Sequence, residues 1–118
     1  MQIIQLQQKM KKIIKDNIKK IQELCNNFNV SELYTFGSVN TSNFSEKSDI
    51  DFLVTFNENL PLLDYADNYF DFKFSLTDFL KREIDLVTER SLSNPYLIDS
   101  INSTKKLLYE QGNKKIFA

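Results

Sequence analysis

Three carboxylates on two short apolar runs carry the most chemistry in this sequence. Asp49 and Asp51 stand in Asp-Ile-Asp-Phe-Leu-Val, and Asp85 stands in Ile-Asp-Leu-Val. Apolar runs of this length read as strands, and residues i and i+2 of a strand point the same way, so Asp49 and Asp51 project from one face. Carboxylates gathered in this way repel one another unless a cation sits between them, and hard oxygen ligands suit Mg²⁺ or Mn²⁺. The chemistry predicted is metal-assisted reaction at phosphates. Gly37-Ser38, a little before the first run, fits that chemistry. A glycine at a strand end lets backbone amides approach a phosphate closely, and the serine adds a hydroxyl donor. Glu83 competes with Asp85 for the third position because the two share a strand face. Asp85 is preferred, since Ile84 and Leu86 repeat around it the pattern of Ile50 and Phe52 around Asp51.

Composition removes most rival chemistries. The chain has no histidine and one cysteine, Cys25. Histidine-containing triads, histidine-ligated zinc hydrolysis, cysteine-rich zinc sites and internal disulfides are therefore excluded. A formal net charge of -1 gives no global support for coating nucleic acid, which is disfavoured as a direct partner. No apolar run approaches the length of a membrane span and no signal-peptide pattern opens the chain, so a cytoplasmic, membrane-free protein is expected. At 118 residues the whole chain, 1–118, reads as one domain with no room for a separate substrate domain. Any acceptor must occupy a small site or be supplied by a partner.

The elements that position these residues are legible from periodicity. Ile13, Ile14, Ile18, Ile21, Leu24, Cys25 and Phe28 recur at helical spacing, predicting an amphipathic helix over about 9–28 whose lysines form a solvated face. Residues 30–36 read as a first strand, ended by Gly37, and 39–48 as a loop or short helix closed by Ser48. The second strand is predicted over 49–56. Asn59-Leu60-Pro61 announces a long helix reaching Lys81, imperfect in its apolar spacing and expected to break near 72–75. Residues 83–87 give a third strand, Asn94-Pro95 a last helix, and 107–109 a short fourth strand, before a frayed tail over about 111–118. Strands separated by helices predict an α/β (α+β) fold, a short mixed sheet of three to four strands with helices packed on one face.

The conjunction of Phe36-Gly37-Ser38, Ser48-Asp49-Ile50-Asp51-Phe52-Leu53-Val54 and Leu80-Lys81-Arg82-Glu83-Ile84-Asp85-Leu86-Val87-Thr88 resembles the minimal nucleotidyltransferases (MNT) of the DNA polymerase beta superfamily. The resemblance runs from about Leu24 to Tyr109. It implies a polymerase-beta-like fold in which Asp49 and Asp51 hold two divalent ions, Mg²⁺ or Mn²⁺, and Asp85 completes the catalytic and metal-binding set. It also implies that Gly37 and Ser38, with Ser48 beside the second motif, bind the phosphates of a nucleoside triphosphate, ATP in the first instance. Family members commonly carry basic residues and a second glycine after Gly-Ser. Val39, Asn40, Thr41 and Ser42 stand there instead, leaving Lys47 or a partner's basic group to meet the triphosphate charge.

Small MNT proteins are typically paired with a HEPN-domain ribonuclease toxin. The resemblance therefore implies an antitoxin that transfers AMP from ATP to a tyrosine hydroxyl of that toxin, within a possible hetero-oligomer. A second expectation, of a different class, is a non-catalytic antitoxin acting by contact alone. A third, an antibiotic-modifying nucleotidyltransferase, is disfavoured because no second domain is present to hold a small acceptor.

Overall fold

The computed structural model of the protein describes residues 11–112. Its centre is a four-stranded sheet of β1 (Val30–Phe36), β2 (Ile50–Phe56), β3 (Ile84–Thr88) and β4 (Lys106–Glu110), in the order β3-β2-β1-β4. β1 pairs antiparallel with both β2 and β4, whereas β2 and β3 run parallel. A parallel neighbour requires a crossover, and the helix over Leu62–Leu80 supplies it.

The predicted first helix is two helices, α1 (Lys12–Lys15) and α2 (Ile18–Asn27). Asn17 divides them: its side-chain amide donates to Ile13 O at 2.7 Å, taking the carbonyl that its own backbone N–H would otherwise bond, and that N–H turns to Ile14 O. The predicted start of that helix, at about residue 9, lies outside the described residues, as does the predicted tail beyond Gly112. Asn29 then adopts a positive φ of 61°, a conformation asparagine tolerates, and turns the chain into β1.

The long helix, α3 (Leu62–Leu80), shows none of the break expected near residues 72–75. Phe72, Leu76 and Leu80, four residues apart, form a continuous buried stripe that holds it straight against the sheet. The apolar residues that spoiled its periodicity lie on its outer side. α4 (Pro95–Thr104) begins as Asn94-Pro95 predicted, with the Asn94 side-chain oxygen accepting from Tyr96 N at 2.9 Å.

The main core joins Leu33, Ile50, Phe52, Val54, Ile84, Leu86 and Leu108 of the sheet to Ile21, Leu24 and Cys25 of α2 and to the buried stripe of α3. A smaller cluster of Phe36, Leu53 and Ile101 lies on the other face, where α4 packs. Helices on one face is thus the arrangement of α1 to α3, and α4 departs from it. Alternation along β2 explains this, because Leu53 points away from Phe52 and Val54 and needs its own apolar cover. Among the described residues no helix is long and apolar enough to cross a membrane.

Candidate active site

The side chains of β2 that face away from the main core are Asp51, Leu53 and Thr55. Leu53 goes under α4, and Asp51, one step nearer the strand start, is left beyond that cover. β3 lies beside β2 with Asp85 directly opposite Asp51, and the parallel register puts both side chains on the same face. Asp49 is exposed and stands one residue ahead of the strand, which starts at Ile50. Burial first, and then the charges of Asp85 and Asp49, push the Asp51 carboxyl up to about 6. The structure therefore brings all three carboxylates into electrostatic reach, with Asp51 in the middle.

Gly37 closes the other side of Asp51. It opens a short 3₁₀ turn, Gly37–Asn40, directly after β1, and its φ of +73° is a conformation that glycine adopts without cost. A Cβ added there would sit 2.5 Å from Asp51 Oδ2, so a side chain at position 37 and the present Asp51 carboxylate exclude each other. The Gly37 N–H donates to Thr104 Oγ1 at 2.9 Å. Asn40 braces the same turn, its side-chain nitrogen donating to Thr35 O at 3.1 Å and to Thr104 O at 2.8 Å. The C-terminal end of α4 thus holds the glycine turn against the carboxylates.

Ser48 has a local task. Its hydroxyl accepts from Ser45 N at 3.0 Å and pairs with the Ser45 hydroxyl at 3.2 Å, closing the loop that delivers Asp49. Arg82 anchors that loop. Its guanidinium donates to Ser45 O at 2.8 Å and to Ser48 O, and lies 4.7 Å from the centre of the Phe44 ring. Glu83 is exposed, and its contribution is the backbone carbonyl that accepts from Ile50 N at 3.0 Å, fixing the β2–β3 register at its start. Arg82 and Thr104 had no signal in the sequence, because each acts on a segment remote from it along the chain.

A divalent cation fits this chemistry. The donors are all hard carboxylate oxygens, one of them half-buried with like charges on both sides, which a cation relieves. Among the described residues no three Asp, Glu or Cys side chains stand close enough together, as placed, to hold a metal ion. Asp51 and Asp85, in register on one face of the sheet, are the residues that could hold it, with the exposed Asp49 just ahead of the strand.

Residues 19–114 match the family model described as "Polymerase beta, Nucleotidyltransferase", most of the chain. The chain belongs to this nucleotidyltransferase family. Its relatives include "Putative protein adenylyltransferase MJ0126" of Methanocaldococcus jannaschii, 33% identical over 94 residues that make up 78% of this chain and 87% of the relative. Among solved structures it is similar to a chain of a toxin-antitoxin complex with AMP-PNP, at a TM-score of 0.63 and 26% identity over 81% of this chain and 75% of that one. It is also similar to a chain of the complex between the tri-AMPylated Shewanella oneidensis HEPN toxin and its MNT antitoxin, with a TM-score of 0.56 and 26% identity over 80% and 70% of the two chains. The enzyme class expected from the sequence, a nucleotidyltransferase, is the class these relationships give.

Proposed function

We propose that this nucleotidyltransferase moves AMP from ATP onto a tyrosine hydroxyl of a HEPN-type partner protein and thereby acts as its antitoxin. The observation that carries the reading is the in-register pair Asp51 and Asp85 on parallel strands, with the Gly37 turn pressed against the Asp51 carboxylate. The adenylyltransferase name of one relative and the AMPylated toxin beside another support the choice of nucleotide and acceptor.

Asp49, Asp51 and Asp85 would hold two Mg²⁺ or Mn²⁺ ions, which when bound neutralise the phosphates and stabilise the attacking and departing oxygens. The Gly37 amide and the Ser38 hydroxyl are the donors offered to the triphosphate, the former once Thr104 Oγ1 yields it. Ser48 and Arg82 keep the loop ahead of Asp49 in place. The acceptor hydroxyl oxygen bonds to the α-phosphorus, the bond from that phosphorus to the bridging oxygen of the β-phosphate breaks, pyrophosphate leaves, and the hydroxyl proton passes to the carboxylate cluster. Holding both reactants in line accounts for much of the acceleration in such transfers. The cytoplasm, where ATP is plentiful, is the compartment that fits this reading.

Contact-only neutralisation is the second reading, favoured by the uncharged Val39, Asn40, Thr41 and Ser42 where the family resemblance leads one to expect basic residues. The double substitution Asp49→Asn with Asp51→Asn separates the two, since it keeps side-chain size and removes the charge that holds the ions. Incorporation of α-labelled ATP into the partner and rescue of growth against that partner should be lost together. Full rescue by a variant that no longer labels would establish the contact-only antitoxin instead.

A further inference from the structure

The outer side of α3 carries an apolar ridge that is left exposed among the described residues. Leu63, Ala66, Phe70 and Phe74 follow one another at steps of three, four and four residues, which sets them in one line along the helix. Leu63 is 94% exposed, Phe70 51% and Phe74 64%, and the two phenylalanine rings stack with centres 6.2 Å apart. Single exposed apolar residues are ordinary on protein surfaces, but a line of them at helix-packing spacing is the pattern of a contact face. Beside this ridge, on the same outer half of the helix, run Asp64, Asp67, Asp71 and Asp78, against which α3 offers one basic residue, Lys73.

The ridge leads into a groove of about 420 Å³ between α3 and β3, whose lining includes Ala66, Tyr69, Phe70, Leu86, Val87 and Ser91. β3 is the edge strand that bears Asp85. Because Ile50 N bonds Glu83 O, residues 84, 86 and 88 turn their backbone groups to the open edge. Two of those carbonyls are already used: Leu86 O accepts from the Tyr69 hydroxyl, and Thr88 O from Ser91 Oγ at 2.8 Å. A strand added at this edge would find its ladder blocked, which favours a helix as the occupant. A second copy of α3 would set one row of aspartates against another, which charge opposes.

We propose that the ridge of Leu63, Ala66, Phe70 and Phe74 docks a helix of the nucleotide-accepting protein, apolar along one stripe and flanked there by lysine or arginine. The docking face rests on the reading of a protein acceptor given above, and it puts that acceptor beside the strand carrying Asp85. From Leu63 to Phe74 the ridge is about 16 Å long, so the partner helix contributes at least three turns.

The probe is a fluorescein-labelled amphipathic peptide of about 21 residues, long enough to be helical, with a leucine-alanine stripe and lysines beside it. A second peptide carries glutamates in place of those lysines. Fluorescence anisotropy with the full chain should show the lysine peptide binding about tenfold or more tighter than the glutamate one. Phe70→Ser with Phe74→Ser should weaken it by about tenfold or more while the chain stays folded, with only a small fall in melting temperature because neither ring belongs to the core. Asp67→Asn with Asp71→Asn should erase the preference between the peptides. Equal binding of both peptides, or unaltered binding by the phenylalanine variant, overturns the proposal. So does sedimentation showing a dimer of the chain that the phenylalanine variant dissolves, which would make a second copy the occupant. Asp49→Asn with Asp51→Asn should bind the peptide normally, so failure of the catalytic reading and failure of the docking face are seen separately.

Discussion

Gly37→Ala tests the contact on which the candidate site depends. At a φ of +73° an alanine costs about 1–2 kcal/mol for left-handed backbone alone. Its Cβ would also lie 2.5 Å from Asp51 Oδ2, closer than real Cβ contacts. The carboxylate is the movable partner, and swinging it off its rotamer costs about 0.5–1.5 kcal/mol more. The two costs separate in a double-mutant cycle with Asp51→Ala, in which the carboxylate is gone and only the backbone cost remains. Urea unfolding of the four proteins should therefore show Gly37→Ala costing roughly 1.5–3.5 kcal/mol in the native background, with a coupling of about 0.5–1.5 kcal/mol to Asp51. For a domain of this size that loss lowers the melting temperature by roughly 10 °C. Labelling by α-labelled ATP should fall by about a hundredfold in Gly37→Ala, because a displaced Asp51 no longer meets Asp85 across the strands. A strictly additive cycle would refute the reasoning, since the Asp51 carboxylate could not then be packed against residue 37.

Asp51 itself should be destabilising when charged. Its folded value of about 6 lies above the ordinary 3.8, so the folded state binds the extra proton between those limits, and stability falls as pH rises through that window. Allowing for solvent screening of a partly exposed group, the penalty above pH 6 is on the order of 1 kcal/mol. Asp51→Asn should melt higher than the native chain at pH 7 and lose this slope, and an equal or lower melting temperature would contradict it. Nucleotide binding should require the divalent ion, because three carboxylates repel a triphosphate; calorimetry giving the same ATP affinity with chelator as with Mg²⁺ would count against the site. Arg82→Gln should cost about 1–2 kcal/mol by releasing two carbonyls and the Phe44 ring. It should raise the Mg²⁺ concentration needed for half-maximal labelling, and an unchanged requirement would show that the loop holds Asp49 without it.

The local signals in this sequence fixed local structure. Two-residue alternation set the strands to within a residue or two at their ends, and Asn94-Pro95 announced a helix start that the Asn94 side chain caps. Carboxylates on short apolar runs with a glycine-serine turn ahead of them were enough to indicate the family. Where the sequence misled, a side chain took a backbone carbonyl of its own helix or an apolar face looked outward. Asn17 breaks the first helix by bonding backward to Ile13, and α3 stays whole because only Phe72, Leu76 and Leu80 face the core while Phe70 and Phe74 face out. Composition cannot tell a core stripe from an exposed one when both are aromatic.

The site belongs to tertiary structure for the same reason. Periodicity states that Asp85 alternates with Ile84 and Leu86, but only the parallel register of β3 on β2, set by burial of those neighbours on the opposite face, puts Asp85 across from Asp51. Sequence gives Gly37 its freedom of backbone, whereas the fold supplies the need for it by bringing the Asp51 carboxylate to where a Cβ would be. Thr104 reaches the Gly37 amide, and Arg82 the loop before Asp49, across separations that no local pattern encodes. Backbone geometry and side-chain alternation act over a few residues and are written in the chain, while contacts between remote segments exist only after the core has chosen which faces to bury.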